Sequence, residues 1–235
     1  SDFDTLLRTI KLKSNHTQAL FSDESYTSFK RFLSPPLHLT ENGKNISYSR
    51  RQIEIIHSQN RQQRIKGVVG SGKTTILAAR AVEAYKRTKG KILILTYNIT
   101  LKNYIHDKIS QVRAEFPWEN FIILNYHTFI NELNNLGVDV SVPEKFNELS
   151  LEQKEKYFES NYYSNKQLFA ENAEKIVQYD AIFIDEIQDY KRPWMEIIKE
   201  FFLVEGGEYV LFGDVKQNIY NNSKHFLCIK YKLII

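Results

Sequence analysis

Short apolar runs alternate with amphipathic stretches along most of this chain. The runs are IKGVV (65–69), KILIL (91–95), FIIL (121–124), AIFID (181–185) and YVLFG (209–213). Apolar runs of this length are typical of strands buried on both faces of a parallel sheet. Helical spacing of apolar residues follows Thr74 and Pro193, and residues 98–109 also predict a helix. The alternation predicts an α/β fold built on a doubly wound parallel sheet.

Two regions depart from this alternation. Residues 131–178 are polar and contain no strand-like run, but Ser150 and Gln153 form a capping-box pattern, so we expect a small helical insertion there. The first 47 residues read as an N-terminal extension or as the tail of an upstream domain. The expected organisation is therefore 1–47 as extension, 48–130 and 179–222 as the sheet domain, 131–178 as insertion and 223–235 as a C-terminal tail.

A phosphate-binding loop follows the first predicted strand. The stretch GVVGSGKT, residues 67–74, matches the pattern G-x-x-x-x-G-K-[ST] and opens a predicted helix. Backbone N–H groups of such a loop cradle phosphates, its lysine bridges the β- and γ-phosphates, and its threonine hydroxyl binds Mg²⁺. The candidate nucleotide ligands are Gly67, Gly70, Ser71, Gly72, Lys73, Thr74 and Thr75.

Two acids end the fourth predicted strand, at Asp185 and Glu186. Beside a phosphate loop, the first acid would bind Mg²⁺ and the second would orient or deprotonate the attacking water. The alternative is an ordinary solvated strand end. With the phosphate loop upstream, we expect Lys73 and Glu186 to be catalytic and Thr74 and Asp185 to hold the metal.

Several motifs resemble those of superfamily 1 helicases of the UvrD/Rep/PcrA type. DEIQD at 185–189 resembles the family signature DExQD, GDVKQNIY at 213–220 resembles GDxxQSIY, and YSRRQ at 48–52 resembles the adenine-reading element. The resemblance implies a RecA-like P-loop domain that uses ATP and Mg²⁺. It also implies that Gln52 reads the adenine and that Gln217 senses the γ-phosphate.

Two further stretches resemble the elements that hold single-stranded nucleic acid in this family. They are LTYN at 95–98 and NYHTF at 125–129. The resemblance implies a single-strand partner, DNA more than RNA, bound through Thr96, Asn98, Tyr126, His127 and Tyr220. Aromatic faces suit stacked bases. The alternative, equally open for each aromatic residue at a strand end, is packing in the core: Tyr97, Tyr126, His127, Phe129, Tyr220.

The family motor consists of two RecA-like domains, the second of which supplies arginines to the ATP site. After Tyr220 the sequence offers only NNSKHFLCIKYKLII. We therefore expect a first motor domain that binds ATP–Mg²⁺, hydrolyses it weakly alone and translocates only with a second motor domain or a partner protein. A fragment, a natural truncation and a disrupted reading frame remain open as explanations. A P-loop ATPase switch that controls a partner without translocation is the alternative function, and a vestigial remnant is a third.

The amino-acid composition adds little to this prediction of fold and function. The net charge of +4 and the isoelectric point near 8.9 are compatible with nucleic acid but do not indicate it by themselves. The single cysteine, Cys228, excludes an internal disulfide and a cysteine-based metal cluster. No apolar stretch approaches the length of a membrane span, so we expect no membrane partner and a location in the reducing cytoplasm.

Overall fold

The computed structural model describes residues 36–68, 70–129, 146–214 and 230–234. The chain divides into two compact units, Ser1–Pro36 and Leu37–Ile235, and every described helix and strand belongs to the second.

Parallel strands form the main sheet of the second unit. In chain order, the strands are β1 (Leu37–His38), β2 (Gln62–Gly67), β3 (Ile92–Thr96), β4 (Phe116–Pro117), β5 (Phe121–Asn125), β6 (Tyr179–Ile184), β7 (Leu203–Asp214) and β8 (Lys230–Ile234). The main sheet has the order β5-β3-β6-β7-β2-β8, with every neighbouring pair parallel. The short strands β1 and β4 pair antiparallel to each other.

The helices flank this sheet. They are α1 (Arg50–Ile56), α2 (Lys73–Thr88), α3 (Ile99–Ser110), α4 (Leu151–Phe158), α5 (Lys166–Glu171) and α6 (Arg192–Phe201). A π-helical turn, Glu159–Tyr163, continues α4, and residues 126–129 are also helical. No described helix has the length and apolar character needed to cross a bilayer.

Side chains of the central strands divide between two cores. On β6, Ala181 and Phe183 join the core that contains the apolar face of α2, whereas Ile182 and Ile184 join the core that contains α6. Successive residues of a strand point to opposite faces, so helices cover the sheet on both sides. This confirms the doubly wound α/β fold predicted from the sequence.

Capping residues set where several helices begin. Ser49 accepts a hydrogen bond from Gln52 N, and Gln52 Oε1 accepts one from Ser49 N, which makes a complete capping box at α1. The capping box predicted at Ser150 is present at the start of α4. Asn98 caps α3 through its side-chain oxygen.

The structure adds elements that the sequence pattern did not predict. Strand β7 spans Leu203–Asp214, much longer than the predicted run at 209–213, and β8 lies at the outer edge of the sheet beside β2. Of the predicted helical insertion, α4, the π-helical turn and α5 are described. Residues 131–145 lie outside the described part of the chain.

Candidate nucleotide site

The phosphate loop joins the end of β2 to the start of α2. Gly70 and Gly72 both have φ of 80°, a left-handed conformation that costs glycine little and other residues more. Ser71 N donates to Val68 O over 3.2 Å and closes a turn between them. Val69 lies outside the described residues. The two glycines at left-handed positions explain why the loop needs this residue type.

Lys73 lies at the first position of α2 with its side chain buried. Its Nζ donates to Gly67 O and to Val68 O, both over 3.2 Å. The ammonium group is therefore held against the end of β2, inside the loop where phosphates would be bound. Thr75, the last predicted nucleotide ligand, follows on α2 and is half-buried.

Thr74 and Asp185 meet across the sheet edge, although they lie far apart in sequence. Thr74 Oγ1 donates to Asp185 Oδ2 over 3.2 Å. Burial and the nearby Glu186 charge raise the pKa of Asp185 to about 6, against the opposing effects of the Glu186 N–H, Thr74 and Lys73. One carboxylate and one hydroxyl suit Mg²⁺, which takes few protein ligands and completes its shell with phosphate and water oxygens. Within the described residues no group of three or more His, Cys, Asp or Glu could hold a metal by itself.

Glu186 follows Asp185 in a strained backbone conformation. Its φ of 53° is uncommon outside glycine, and such outliers concentrate at functional sites. The Gln188 amide donates to the Glu186 carboxylate and orients it. The turn at Ile187 also contacts β7, because a Cβ on Gly213 would lie 2.6 Å from Ile187 Cγ1. The predicted catalytic Gln217 and the nucleic-acid residue Tyr220, both after β7, lie outside the described residues.

Gln52 lies beside the phosphate loop. A Cβ placed on Gly72 would lie 3.7 Å from Gln52 Nε2, so the amide borders the loop from α1. Its Oε1 already accepts the Ser49 N–H of the capping box, which leaves the Nε2 hydrogens available to a ligand.

Two of the predicted nucleic-acid contacts have buried side chains in this structure. Tyr126 and Thr96 have no exposed surface. Asn125 Oδ1 accepts the Thr128 N–H and starts a helical turn that directs Tyr126 inward, where its ring stacks on Trp194 at 4.3 Å and its hydroxyl donates to Tyr163 O. Burial, together with the nearby Glu159 charge, raises the pKa of the Tyr126 hydroxyl.

Three other residues near the ends of β3 and β5 are at least partly accessible. Tyr97 is 40% exposed, Asn98 is exposed and His127 is half-buried. The Tyr97 ring lies parallel to Trp194 with centroids 6.4 Å apart, and Lys191 Nζ lies 5.4 Å from the Trp194 centroid. Tyr97 is one of the aromatic residues at strand ends but is not among the predicted nucleic-acid contacts. Its position directly before Asn98, which is a predicted contact, could have indicated it.

A phosphate loop, an adjacent lysine and a threonine–aspartate pair together define a P-loop nucleotide-binding domain. The AAA_19 family, described as an AAA domain, matches residues 52–223, and the chain belongs to this family. No curated protein matches the chain in sequence.

Two solved structures are similar to this chain in fold. The Pif1 helicase from Candida albicans matches with 18% identity and a TM-score of 0.38 over 72% of this chain and 33% of its own. The UvsW helicase from bacteriophage T4 matches with 15% identity and a TM-score of 0.47 over 83% of this chain and 61% of its own. The chain thus spans a third and about three fifths of these two structures.

Proposed function

We propose that this chain is the ATP-binding first motor domain of a UvrD-like superfamily 1 helicase. It couples ATP hydrolysis to movement along single-stranded nucleic acid when a second motor domain completes the site. The contact of 3.2 Å between Thr74 Oγ1 and Asp185 Oδ2 carries the proposal. This contact joins the phosphate loop to the acidic strand end, so that the two side chains would together hold Mg²⁺ beside the loop that binds phosphates.

The residues divide the chemistry among them. Lys73 and the loop N–H groups bind phosphates, Thr74 and Asp185 hold Mg²⁺, and Glu186 accepts a proton from the attacking water. Bound Mg²⁺ supplies charge that stabilises the transferring phosphoryl group. Gln188 keeps Glu186 oriented through its amide hydrogen bond. Gln52 reads the base through its free Nε2 hydrogens.

A surface for a single strand lies at the carboxyl ends of β3 and β5. This is the edge at which parallel α/β sheets bind ligands. Tyr97 offers an exposed ring for a base, and Lys191 offers a cation for a phosphate, although Lys191 also pairs with Glu159 at 3.1 Å. The same edge carries Asp185, so nucleotide and strand would bind near each other.

Steady-state ATPase activity, measured with and without single-stranded DNA and single-stranded RNA, tests the proposal. We expect clear ATP–Mg²⁺ binding and slow turnover that a single strand stimulates, DNA more than RNA. Addition of a second motor domain should raise the rate further, since an arginine supplied to the site is worth about 10³–10⁵ in rate. Absence of ATP binding would overturn the proposal.

A P-loop switch that regulates a partner protein is the second candidate. The burial of Tyr126 and Thr96 favours it, because two predicted strand contacts are not available on the surface. A switch would bind and hydrolyse ATP without any response to nucleic acid. Single-strand binding that depends on salt and nucleotide supports the motor, and its absence supports the switch.

A further inference from the structure

A buried charged cluster lies behind the phosphate-loop helix, and the nucleotide chemistry does not use it. Arg80 on α2 and Glu208 on β7 are both fully buried and form an ion pair at 2.7 Å. Arg87, about two turns further along α2, pairs with the other oxygen of Glu208 at 2.9 Å. The Ser58 hydroxyl donates to the same carboxylate. Buried charges are costly unless they are paired and hydrogen-bonded. Both oxygens of the Glu208 carboxylate have partners, and of the Arg80 guanidinium nitrogens only Nη2 lacks a hydrogen bond within the described residues.

Arg80 also reaches out of this cluster to α1. Its Nη1 donates to Ile55 O and to Gln63 Oε1, each over 2.8 Å. Ile55 lies in the last turn of α1, where the carbonyl groups have no partner within the helix. A cation at this end of a helix also complements the helix dipole. Arg80 therefore ties the carboxyl end of α1 to α2, β2 and β7 with a single guanidinium group.

The position of α1 matters because its first turn carries Gln52. The helix has only seven residues, and isolated helices of that length are not stable in water. Its placement must therefore come from contacts with the rest of the domain. Gln52 lies one turn before Ile55, and its amide lies beside Gly72 of the phosphate loop.

We propose that Arg80 is a positioning residue for base recognition: by holding the Ile55 carbonyl it fixes α1 so that Gln52 faces the nucleotide base. The inference rests on the proposed function, since it assigns a role within the ATP site. It separates base recognition, which depends on α1, from phosphate binding, which depends on the loop and Lys73. Loss of the Arg80 contact lowers the preference for ATP over GTP and leaves phosphate binding unchanged.

Arg80→Lys is the test variant, because lysine keeps the charge beside Glu208 but lacks the planar fork that reaches Glu208 and Ile55 together. The ATP/GTP preference is measured by competition against a fluorescent nucleotide in Mg²⁺, and Mg²⁺–tripolyphosphate binding reports the phosphate contacts. We expect the preference to fall about threefold to tenfold, the effect of one hydrogen bond, with tripolyphosphate binding within about twofold of the parent.

Arg87→Lys is the matched control. It is the same substitution, on the same helix, at a partner of the same carboxylate, but Arg87 does not contact α1 in the described hydrogen bonds. Its ATP/GTP preference should equal that of the parent chain. An equal fall in both variants, or an unchanged preference in folded Arg80→Lys, would overturn the inference.

A second variant covers failure of Arg80→Lys to fold. Replacing a buried ion pair by apolar residues of similar volume is often tolerated. Arg87 loses Glu208 in Arg80→Met/Glu208→Met, but its side chain is 28% exposed and can be solvated, so the double variant should fold and should show the same loss of preference. Gln52→Ala distinguishes base recognition by Gln52 itself from the positioning of α1 by Arg80. If Gln52→Ala lowers the preference and neither Arg80 variant does, only the positioning role is wrong. If none of them lowers it, the assignment of Gln52 in the proposed function is wrong as well.

Discussion

At the scale of single residues, Lys73 and Asp185 are the two buried charged side chains of the candidate nucleotide site. Both side chains are buried, and burial together with the Glu186 charge raises the pKa of Asp185 to about 6. Each therefore gains from a ligand of opposite charge: phosphates for Lys73 and Mg²⁺ for Asp185. A buried, incompletely compensated pair of this kind indicates a binding site more than a stabilising interaction.

Lys73→Ala should abolish stabilisation of the chain by nucleotide. In the parent, ATP–Mg²⁺ at about 100 times its Kd adds about 2.7 kcal/mol to the free energy of unfolding. The variant should show no rise in Tm under the same conditions. Lys86→Ala is the control, since Lys86 is a partly exposed lysine of the same helix that pairs with Glu83. A full nucleotide-induced rise in Lys73→Ala would remove the phosphate-loop assignment.

Glu186→Gln should bind ATP and lose turnover. The amide keeps the shape of the side chain and its contact with Gln188, but it cannot accept a proton. Loss of a general base costs about 10²–10⁴ in rate. The measurement is ATP hydrolysis with a second motor domain present, alongside the Kd for ATP. Glu196→Gln, an exposed acid on α6, should retain the parent rate. Retained turnover in Glu186→Gln would exclude Glu186 as the base.

The positions of the residues in the two nucleotide motifs could be predicted from the sequence, whereas the exposure of the aromatic residues could not. Lys73, Thr74 and Asp185 meet because the phosphate loop and the acidic strand each specify a local geometry at one sheet edge. The burial of Tyr126 depends instead on Trp194 and Tyr163, which come from α6 and the helical insertion. Nothing in NYHTF itself indicates which packing partners will cover it.

At the scale of elements, α1 and α4 begin with the same device. Ser49 caps α1 and Ser150 caps α4, each with a glutamine three residues later that completes the box. Only the first of these boxes contains a residue proposed to bind nucleotide. Comparison of the two boxes therefore distinguishes the loss of stability caused by removing a cap from any effect on nucleotide binding.

Ser49→Ala and Ser150→Ala should each lower the free energy of unfolding by about 1 kcal/mol, the usual cost of losing such a cap. Only Ser49→Ala should also lower the ATP/GTP preference, because the lost Ser49 hydroxyl accepts the Gln52 backbone N–H and so holds the first turn of α1, which carries Gln52. Chemical denaturation and nucleotide competition measure the two quantities. A similar loss of preference in Ser150→Ala would show that the effect is global and does not arise at α1.

The capping box at Ser150 was readable from the sequence, as were most strands, because both follow from patterns of a few residues. The extent of β7 was not. Its first half, LVEGGE, reads as polar and carries two glycines, yet Leu203 pairs with Tyr179 and Glu208 with Ala181 in β6. Glu208 is buried there because Arg80 and Arg87 pair with it. Such tertiary pairing overrides strand propensity.

At the scale of the whole molecule, the question is whether the carboxyl edge of the sheet binds single-stranded nucleic acid. The net charge of +4 is too small to attract nucleic acid by a general field, so the proposed binding would have to come from a local arrangement. The best-supported arrangement is Tyr97 with its neighbour Asn98 and the nearby Lys191. It occupies the same sheet edge as the nucleotide site, which is what coupling of the two ligands requires.

Tyr97→Ala should therefore weaken binding of a fluorescent single-stranded oligonucleotide by about 1–3 kcal/mol, the range for loss of one base stack. Tyr104→Ala is a close control, because Tyr104 is similarly exposed, at 46% against 40% for Tyr97, and lies beside a lysine but on α3. A few phosphate contacts should give a log–log salt slope of about −1 to −3, unaltered by Tyr97→Ala since stacking releases no counterions. Equal losses in the two variants would place the strand elsewhere. Absence of any salt-dependent binding of the oligonucleotide would favour the P-loop switch, because a helicase motor must bind single-stranded nucleic acid.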